Sequence, residues 1–312
     1  MSHIFEFNRK IGKGINFGNA LEAPVEGVWG LKIKNEYFNL IKQAGFTSVR
    51  IPIRWSIHSS NKEPYKINDD FFLRIDEVIN QALENNLIVI INIHHFYKLF
   101  FNPNKFETKF YSLWDQLSNR YAKYSENLIF ELLNEPHYFL TTTKWNRFVQ
   151  NVLPIIRRSN PTRAILIGPG RWNNIEGLNN LILPENKENI IVTFHYYKPF
   201  TFTHQGAEWV YFSHLFLKNK WKGSPKERKK IVDHFLFVSS WSLKNNVPIN
   251  LGEFGSYYHA DLESRKRWTK TVIDTAEKFG FSWNYWEFGA GFGVYDITKN
   301  KWKEELLSSL IN

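Results

Sequence analysis

The chain has 312 residues, of which 43% are apolar and 22% charged, so its composition is that of a folded globular protein with a sizeable core. It contains no cysteine, which excludes disulfide bonds, thiolate chemistry and cysteine-ligated zinc. The net charge is +10, but the basic residues are spread along the chain, so we expect no nucleic-acid partner.

Two further features of the composition bear on location and ligands. No apolar run reaches the roughly 18 residues that cross a bilayer, so we expect no membrane association. The first residues, MSHIFEFNRKIGKG, lack the apolar segment of a secretory signal, which predicts a cytoplasmic protein. Aromatic residues make up 17% of the chain, and their flat faces suit ligands with an apolar side, such as sugar rings.

In chain order, short apolar or β-branched runs alternate with amphipathic stretches. The runs predict eight strands, at Ile11–Gly18, Phe46–Ile53, Leu87–His94, Asn127–Glu135, Arg163–Gly168, Asn189–Tyr197, Pro248–Phe254 and Phe281–Glu287. The stretches predict helices at Lys34–Ala44, Asp70–Asn85, Asn104–Lys123, Thr142–Ser159, Pro225–Asn245, Asp261–Phe279 and Lys303–Ile311. Nearly continuous apolar strands that alternate with helices indicate a parallel sheet with both faces covered.

Eight such units in a chain of this length predict an α/β fold, the (β/α)8 TIM barrel, which typically takes about 250 residues before insertions. The competing doubly wound fold would carry a G-x-G-x-x-G turn after its first strand, and IGKGINFGN does not match that turn. Since no Pro-, Gly- or Ser-rich linker divides the sequence, we predict a single domain over residues 1–312, and we expect a monomer.

Polar and aromatic residues stand at the predicted strand ends, which is where barrel enzymes carry their chemistry. Burying one such group costs about 2 kcal/mol or more unless it is paired, so a purely structural barrel would not hold so many. The set is Arg50, His94, His95, Asn134, Glu135, His195, Tyr197, Glu253, Trp286 and Glu287.

Two glutamates are central to this set, since Glu135 ends the fourth predicted strand and Glu253 the seventh, on opposite sides of the barrel mouth. Cleavage of a glycosidic bond needs one carboxylic acid to protonate the leaving oxygen. A second carboxylate attacks the anomeric carbon or activates water. A gap of about 5–5.5 Å between the carboxyl groups indicates retention of configuration, and roughly 6.5–9.5 Å indicates inversion.

The neighbours of the two glutamates suggest supporting roles. A nucleophilic carboxylate must be ionised, and Arg50 is expected to lower its pKa, while Tyr197 is placed to hydrogen-bond it. The acid, Glu135, needs a raised pKa instead. Asn134 suits a sugar hydroxyl, and Trp286 suits a stacking floor for the sugar.

Two further acids at the strand ends have different interpretations. Glu131 has the strand parity of Glu135 but lies deeper, which predicts a paired interior acid. Glu287 is either a ligand for a sugar hydroxyl or a structural partner.

Metal or phosphate chemistry would need other patterns. His94 and His95 are adjacent on a predicted strand and would point to opposite faces, so they are not expected to chelate a metal together with His195. Three glycines within residues 289–293 are only weak support for a phosphate site. We predict no metal and no cofactor.

Six motifs resemble those of glycoside hydrolase family 5, the retaining endo-β-glycanases, and occur in the family's order over nearly the whole barrel. They are Val49-Arg50-Ile51-Pro52, His94-His95, Leu133-Asn134-Glu135-Pro136, His195-Tyr196-Tyr197, Gly252-Glu253-Phe254-Gly255 and Tyr285-Trp286-Glu287. The resemblance implies that Glu135 is the acid/base and Glu253 the nucleophile. It places the following residues around the cleaved bond: Arg50, His94, Asn134, His195, Tyr197 and Trp286.

Within that family, GINFGNALEAP, FTHQGAEWV, GEFG and FGVYD resemble intracellular thermophilic endoglucanases of the Thermotoga type. The resemblance implies activity on β-1,4-glucan, often with β-mannan as a second substrate. It also implies that Asn19, Glu22, His95 and Trp209 contact sugars on the non-reducing side of the cut.

Three alternatives stay open at this stage. The main activity could be that of a β-mannanase, a xyloglucanase or a mixed-linkage glucanase, because epimeric sugars differ in one hydroxyl that the sequence does not reveal. A barrel that binds carbohydrate without cleaving it is a second alternative, although both glutamates are present. A phosphate-binding isomerase or aldolase is the third, and it would want a lysine at a strand end.

Overall fold

The computed structural model describes residues 3–311 and has a closed barrel of eight parallel strands in the order of the sequence. The prediction of a (β/α)8 barrel is therefore confirmed. The barrel strands are β1 Lys13–Asn16, β2 Ser48–Ile51, β3 Ile88–Asn92, β4 Leu128–Glu131, β5 Ile165–Ile167, β6 Ile190–His195, β7 Ile249–Phe254 and β8 Ser282–Tyr285.

The helices lie around the barrel, across its bottom and in the loops above it. They are α1 His3–Ile11, α2 Glu36–Gln43, α3 Asp69–Glu84, α4 Tyr97–Phe101, α5 Pro103–Arg120, α6 Thr142–Ser159, α7 Phe200–Thr203, α8 Pro225–Asn245, α9 Leu262–Lys278 and α10 Glu304–Ile311. Among residues 3–311, no helix is both long and apolar enough to cross a membrane.

Side-chain caps set where the long helices begin. The α3 helix starts after Asn68, whose side chain accepts hydrogen bonds from the backbone of Asp70 and Phe71. The α8 helix starts with a capping box, in which the Ser224 and Glu227 side chains each accept from the other's backbone N–H. These caps occupy N–H groups that have no partner inside the helix.

Several connections differ from a regular β/α unit. Between β5 and β6 the chain forms a 3-10 helix, Ile175–Asn180. After β8 two short antiparallel strands pair, β9 Tyr295–Asp296 and β10 Lys301–Trp302, before α10 closes the barrel.

Several strands end earlier than predicted, so some of the polar residues assigned to their ends lie in the loops that follow, whereas Arg50, His195 and Glu253 lie within strands. His95 and Glu135 are three and four residues past β3 and β4, with φ angles of 50° and 46°. A left-handed backbone breaks the pleat, so neither residue continues a strand. The argument from opposite strand faces therefore does not apply to His94 and His95, whose rings meet edge-on with centroids 4.5 Å apart.

The first strand begins at Lys13, so the prediction that it begins at Ile11 is wrong. The residues before it form the α1 helix, which ends at Ile11. The α1 helix covers the bottom of the barrel with Ile4, Phe7 and Ile11. The amide of Asn8 donates to the carbonyl of Ile249 at 2.9 Å. The helix thus seals the end of the barrel away from the strand C-termini.

Polar side chains fill much of the barrel interior, where many barrels carry layers of branched apolar residues. Asn16, Arg50, Glu131, Asn250 and Asn284 are all fully buried. Their hydrogen bonds run between strands; Asn16, for example, donates to the carbonyl of Gly252 on β7 at 3.0 Å. Because buried polar groups are stable only when paired, this interior fixes the strand ends that carry the site.

Candidate active site

A cleft of about 630 Å³ opens at the C-terminal ends of the barrel strands. It brings together most of the residues predicted from the sequence. Those that line it are Asn19, Glu22, His94, His95, Asn134, Glu135, Tyr197, Trp209, Glu253 and Trp286. Arg50 and His195 lie directly beneath this lining and are buried.

Glu135 and Glu253 face each other across the floor of the cleft. An oxygen of each carboxylate and a ring nitrogen of His195 all lie within 4.8 Å of one another. This separation is smaller than the roughly 6.5–9.5 Å that an inverting pair needs to admit water. Oxygens this close favour the spacing of about 5–5.5 Å between carboxyl groups that a retaining pair has.

Arg50 supports the floor of the site from inside the barrel. Its Nη1 donates to Oε1 of Glu253 at 2.7 Å, and its Nη2 donates to Oδ1 of Asn134 at 2.8 Å. Its Nε and Nη2 also bind both oxygens of Glu131, at 2.5 and 2.8 Å. The prediction that Glu131 is a paired interior acid is confirmed.

The pKa of Glu253 departs from the expectation that Arg50 would lower it. Burial raises the pKa of this carboxyl, and the neighbouring His195 and Arg50 only partly offset the rise. Arg50 makes its two-point pairing with Glu131, where its charge outweighs burial and lowers the pKa. The guanidinium is shared between two carboxylates, so its effect on Glu253 is weaker than a dedicated ion pair would give.

Glu135 has the raised pKa that a general acid needs. Burial in the cleft raises it to about 8, against the lowering effect of Arg50. Oε1 of Glu135 lies 2.8 Å from Nδ1 of His195. Burial lowers the pKa of His195 to about 4, so this imidazole is neutral at neutral pH. Because His195 is neutral, it adds no positive charge that would favour the ionised form of Glu135.

Tyr197 and Trp286 complete the walls around the two carboxylates. The hydroxyl of Tyr197 donates to Oε2 of Glu253 at 3.0 Å. The Trp286 ring lies against Gly18, where a Cβ atom would come within 2.7 Å of the indole. It also stacks with His94 at an interplanar angle of 10°. The glycine thus lets the indole lie flat beside the cleft.

Four residues assigned by resemblance to the non-reducing side also reach the cleft, namely Asn19, Glu22, His95 and Trp209. Glu22 accepts hydrogen bonds from the backbone N–H groups of Asn19 and Ala20. Burial raises its pKa to about 8, so its carboxyl is protonated at neutral pH. Glu22 therefore organises the loop after β1 as well as facing the cleft.

Glu287 is hydrogen-bonded to the backbone of the loop after β8. It is fully buried, and its oxygens accept hydrogen bonds from the backbone N–H groups of Gly289, Ala290 and Phe292 at 2.8–3.0 Å. This favours the structural reading of Glu287 over the sugar ligand. The same contacts occupy the N–H groups of the glycine loop, which a phosphate would have needed.

A metal is not favoured by the charges at the floor of the cleft. Glu135, His195 and Glu253 offer three ligand atoms in one place, and the group found among residues 3–311 does not include His94 or His95. The Arg50 guanidinium hydrogen-bonds Glu253 from below, and its positive charge would repel a divalent cation. The absence of a metal stays a prediction.

Several residues that line the cleft were missed by the sequence reasoning: Trp29, Tyr97, His204, Glu208, Tyr257 and Phe292. Tyr257 donates to Glu208 at 2.8 Å, which joins the loop after β6 to the loop after β7. Trp29 packs edge-on against His95 with centroids 5.7 Å apart. Apart from Tyr97, which begins α4, they lie in loops without periodicity, and only their residue types could have signalled them.

A close carboxylate pair across the mouth of a (β/α)8 barrel, with aromatic walls, defines the glycoside hydrolase class. The model of the family described as Cellulase (glycosyl hydrolase family 5) matches residues 12–291. The chain belongs to this family.

Known proteins resemble this chain along nearly its whole length. Endoglucanase H of Acetivibrio thermocellus is 37% identical over 320 residues, which cover 99% of this chain and 33% of that protein. The chain spans about a third of the length of the first curated relatives it matches. Thermotoga maritima Cel5A in complex with cellobiose superimposes with a TM-score of 0.97 at 51% identity, covering 99% of this chain and 100% of the other. A structure of the same enzyme in complex with mannotriose gives the same TM-score, identity and coverage.

Proposed function

We propose that the chain is a retaining, endo-acting glycoside hydrolase that cleaves β-1,4-linked glucan chains. The observation that carries this proposal is the Glu135–Glu253 pair, with oxygens within 4.8 Å and unequal hydrogen-bond partners. Glu253 accepts from Arg50 and Tyr197, whereas Glu135 has the neutral His195 beside it. The pair therefore holds its shared proton on Glu135 and its negative charge on Glu253.

In the first step, the Glu253 carboxylate attacks the anomeric carbon of the bound sugar. Glu135 gives its proton to the glycosidic oxygen as the bond to the leaving sugar breaks. The products are a glycosyl ester on Glu253 and a released chain with a free hydroxyl. Trp286 provides the floor for the reacting sugar, while His94 and Asn134 line the cleft where its hydroxyls would bind.

In the second step, Glu135 acts as a base. It takes a proton from a water molecule that attacks the same anomeric carbon, which releases the sugar and restores the Glu253 carboxylate. Two inversions give overall retention. His195 borders both carboxylates, at 2.8 Å from Glu135 and 3.5 Å from Glu253, and holds them in register through both steps.

Mannan is a second candidate substrate, and one specific observation favours it. The Thermotoga maritima Cel5A structures were obtained with cellobiose and with mannotriose, at 51% identity to this chain. We propose that glucomannan or mannan is cleaved as well as glucan. Asn19, Glu22, His95 and Trp209 would contact the sugars on the non-reducing side.

The test is the release of reducing sugars from carboxymethyl cellulose, β-glucan and glucomannan by the wild type and by Glu253→Gln. We expect activity on all three and a loss of about a thousandfold or more in the variant, because covalent catalysis is removed. Glu263→Gln, at an exposed helix position, is the control and should keep full activity. A Glu253→Gln protein as active as the wild type would refute the assignment.

We also propose that residues 1–312 form one domain that acts as a monomer on its carbohydrate substrate. A single cooperative unfolding transition and a monomeric mass in solution are the expected results. The cytoplasmic location stays a prediction from the sequence.

A further inference from the structure

Two histidines at the floor of the cleft each lie against a fully buried asparagine. His94 contacts Asn92, and His195 contacts Asn173. Burial lowers the pKa of both histidines, so both rings are neutral at neutral pH. A neutral imidazole has one nitrogen that donates a hydrogen bond and one that accepts, and its neighbours decide which nitrogen does which.

The amide of Asn92 is oriented by its other contacts. Its Oδ1 accepts from the backbone N–H of Ile53 at 3.3 Å, so its Nδ2 is the atom that faces His94, 3.2 Å from Nδ1. Burial raises the pKa of Glu131, but Arg50 and a hydrogen bond from the Asn92 side chain lower it overall, as a donor would. Because an amide nitrogen only donates, Nδ1 of His94 accepts, and the ring hydrogen lies on Nε2.

Asn173 contacts His195 at the other ring nitrogen. Its Nδ2 lies 3.4 Å from Nε2 of His195, and its backbone carbonyl accepts from the N–H of the same histidine at 2.9 Å. A Cβ atom at Gly168 would collide with the amide of Asn173, so the glycine makes room for it. Within residues 3–311, Oδ1 of Asn173 has no hydrogen-bond partner, so the contact with His195 is what orients this amide.

The two carboxylates favour the same arrangement of His195. Its Nδ1 lies 2.8 Å from Oε1 of Glu135 and 3.5 Å from Oε2 of Glu253. Glu253 is ionised in the proposed mechanism and can only accept, so a lone pair on Nδ1 would be repelled by it. Nδ1 therefore carries the hydrogen, and Nε2 accepts from Asn173. His94 and His195 are thus held as opposite tautomers.

The tautomer of His195 decides where the proton of Glu135 lies. With its hydrogen on Nδ1, His195 donates to Oε1 of Glu135, which leaves the acid proton on Oε2. With the hydrogen on Nε2 instead, the lone pair on Nδ1 would accept the acid proton and hold it away from the glycosidic oxygen. The proton transfer of the first step therefore depends on Asn173, which does not itself line the cleft.

We propose that Asn173 is a positioning residue that sets the tautomer of His195 and so leaves the proton of Glu135 free for the leaving oxygen. Asn92 sets the opposite tautomer in His94. The role of Asn173 rests on the proposed function, because it acts through the acid. An asparagine that only supported the loop after β5 would have no influence on which nitrogen of His195 is protonated.

The tautomers can be read directly by nuclear magnetic resonance on the protein with ¹⁵N-labelled histidine. Correlation of the ring nitrogens with the carbon-bound ring hydrogens separates protonated from unprotonated nitrogens, and His94→Gln and His195→Gln assign the signals. We expect His195 to be protonated at Nδ1 and His94 at Nε2. Asn173→Asp keeps the shape of the side chain and suits the left-handed φ of 52°, but it replaces the donor by an acceptor. In this variant Nε2 of His195 should gain a hydrogen.

A kinetic test compares two substrates that differ in how much they need the acid. Cleavage of cellopentaose releases a sugar hydroxyl and needs the proton of Glu135, whereas β-cellobiosyl fluoride releases fluoride, which needs little protonation. Asn173→Asp should lower kcat/KM for cellopentaose relative to that for cellobiosyl fluoride by about tenfold or more, since general acid catalysis contributes about 10²–10⁴-fold. Asn174→Asp is the matched control, because the Asn174 amide donates to the carbonyl of Arg171 and not to a histidine. It should keep the wild-type ratio.

The wild-type spectrum decides the proposal even if a variant does not fold, and protonation of His195 at Nε2 would overturn it. An unchanged His195 tautomer in Asn173→Asp, or equal losses on the two substrates, would also overturn it. A wild-type protein that has the expected tautomers but cleaves neither substrate would instead refute the proposed function.

Discussion

Arg50 and Glu253 form a hydrogen bond of 2.7 Å at a point where both side chains are almost closed to solvent. The same guanidinium binds Glu131 through two hydrogen bonds, so one side chain holds both an interior acid and the proposed nucleophile. Only a planar group with several fixed donors can satisfy both carboxylates at once. The barrel interior and the site are thus one connected polar network.

Replacing Arg50 with lysine should damage both stability and activity. Lysine keeps the charge but cannot make the paired bonds to Glu131 and still reach Glu253, which leaves buried acceptors unpaired. We expect a loss of about 3 kcal/mol in the free energy of unfolding and at least about tenfold in kcat. Denaturant unfolding and initial rates measure the two effects.

Arg158→Lys is the matched control, because Arg158 forms an exposed ion pair with Asp115 at 3.0 Å. Its loss should be about 0–1 kcal/mol. Equal effects of the two substitutions would contradict the network described for Arg50.

The pH profile of kcat/KM should reflect the two glutamates. Glu135 must be protonated to act as the acid, and burial raises its pKa to about 8, so activity should fall as the pH rises through about 8. Glu253 must be ionised, and burial raises its pKa, so the acid limb should lie above the ordinary glutamate value of about 4.3. Activity that stays constant from neutral pH to pH 10 would speak against Glu135 as the acid.

Replacing Glu135 and replacing Glu131 by glutamine should shift the unfolding temperature in opposite directions. Because folding raises the pKa of Glu135, its protonated carboxyl favours the folded state at low pH. This contribution to stability is lost as the pH rises from about 4.3 through about 8. Glu135→Gln should therefore raise the unfolding temperature at pH 8 while it abolishes activity. The lowered pKa of Glu131 gives stability above its unfolded pKa that is lost in acid, so Glu131→Gln should lower the unfolding temperature at pH 8. Shifts of the same sign in both variants would contradict these environments.

Glu287 is expected to matter for the fold of the loop after β8. Glu287→Ala leaves the N–H groups of Gly289, Ala290 and Phe292 without their acceptor, which should cost about 2–3 kcal/mol of stability. The exposed Glu77→Ala is the control and should change stability by less than about 0.5 kcal/mol. A Glu287→Ala protein of full stability but weak substrate binding would revive the sugar-ligand interpretation.

The sequence predicted the barrel because its strands are nearly continuous apolar runs, and it predicted the carboxylate pair because polar residues interrupt those runs. It missed α1, although the signal is present. The buried residues Ile4, Phe7, Asn8 and Ile11 follow helical spacing, but the apolar run after Ile11 was read as one strand.

Other features of the structure correspond to no pattern in the local sequence. The backbone N–H groups that donate to Glu287 are positioned by the path of a glycine-containing loop, and periodicity carries no information on such a path. Arg50 hydrogen-bonds two carboxylates, and this arrangement depends on distances within the closed barrel. The pKa of Glu253 depends on the same distances.

The central claim is that Glu253 forms a covalent bond to the sugar. A 2-deoxy-2-fluoro-cellobiosyl fluoride should react once and then stall, because the fluorine destabilises the positively charged transition state of both steps while fluoride remains a good leaving group. Mass spectrometry of the intact protein and of its peptides should show one fluoro-cellobiosyl unit, attached to Glu253. The absence of an adduct under conditions where cellopentaose is cleaved, or attachment to Glu135, would contradict the account.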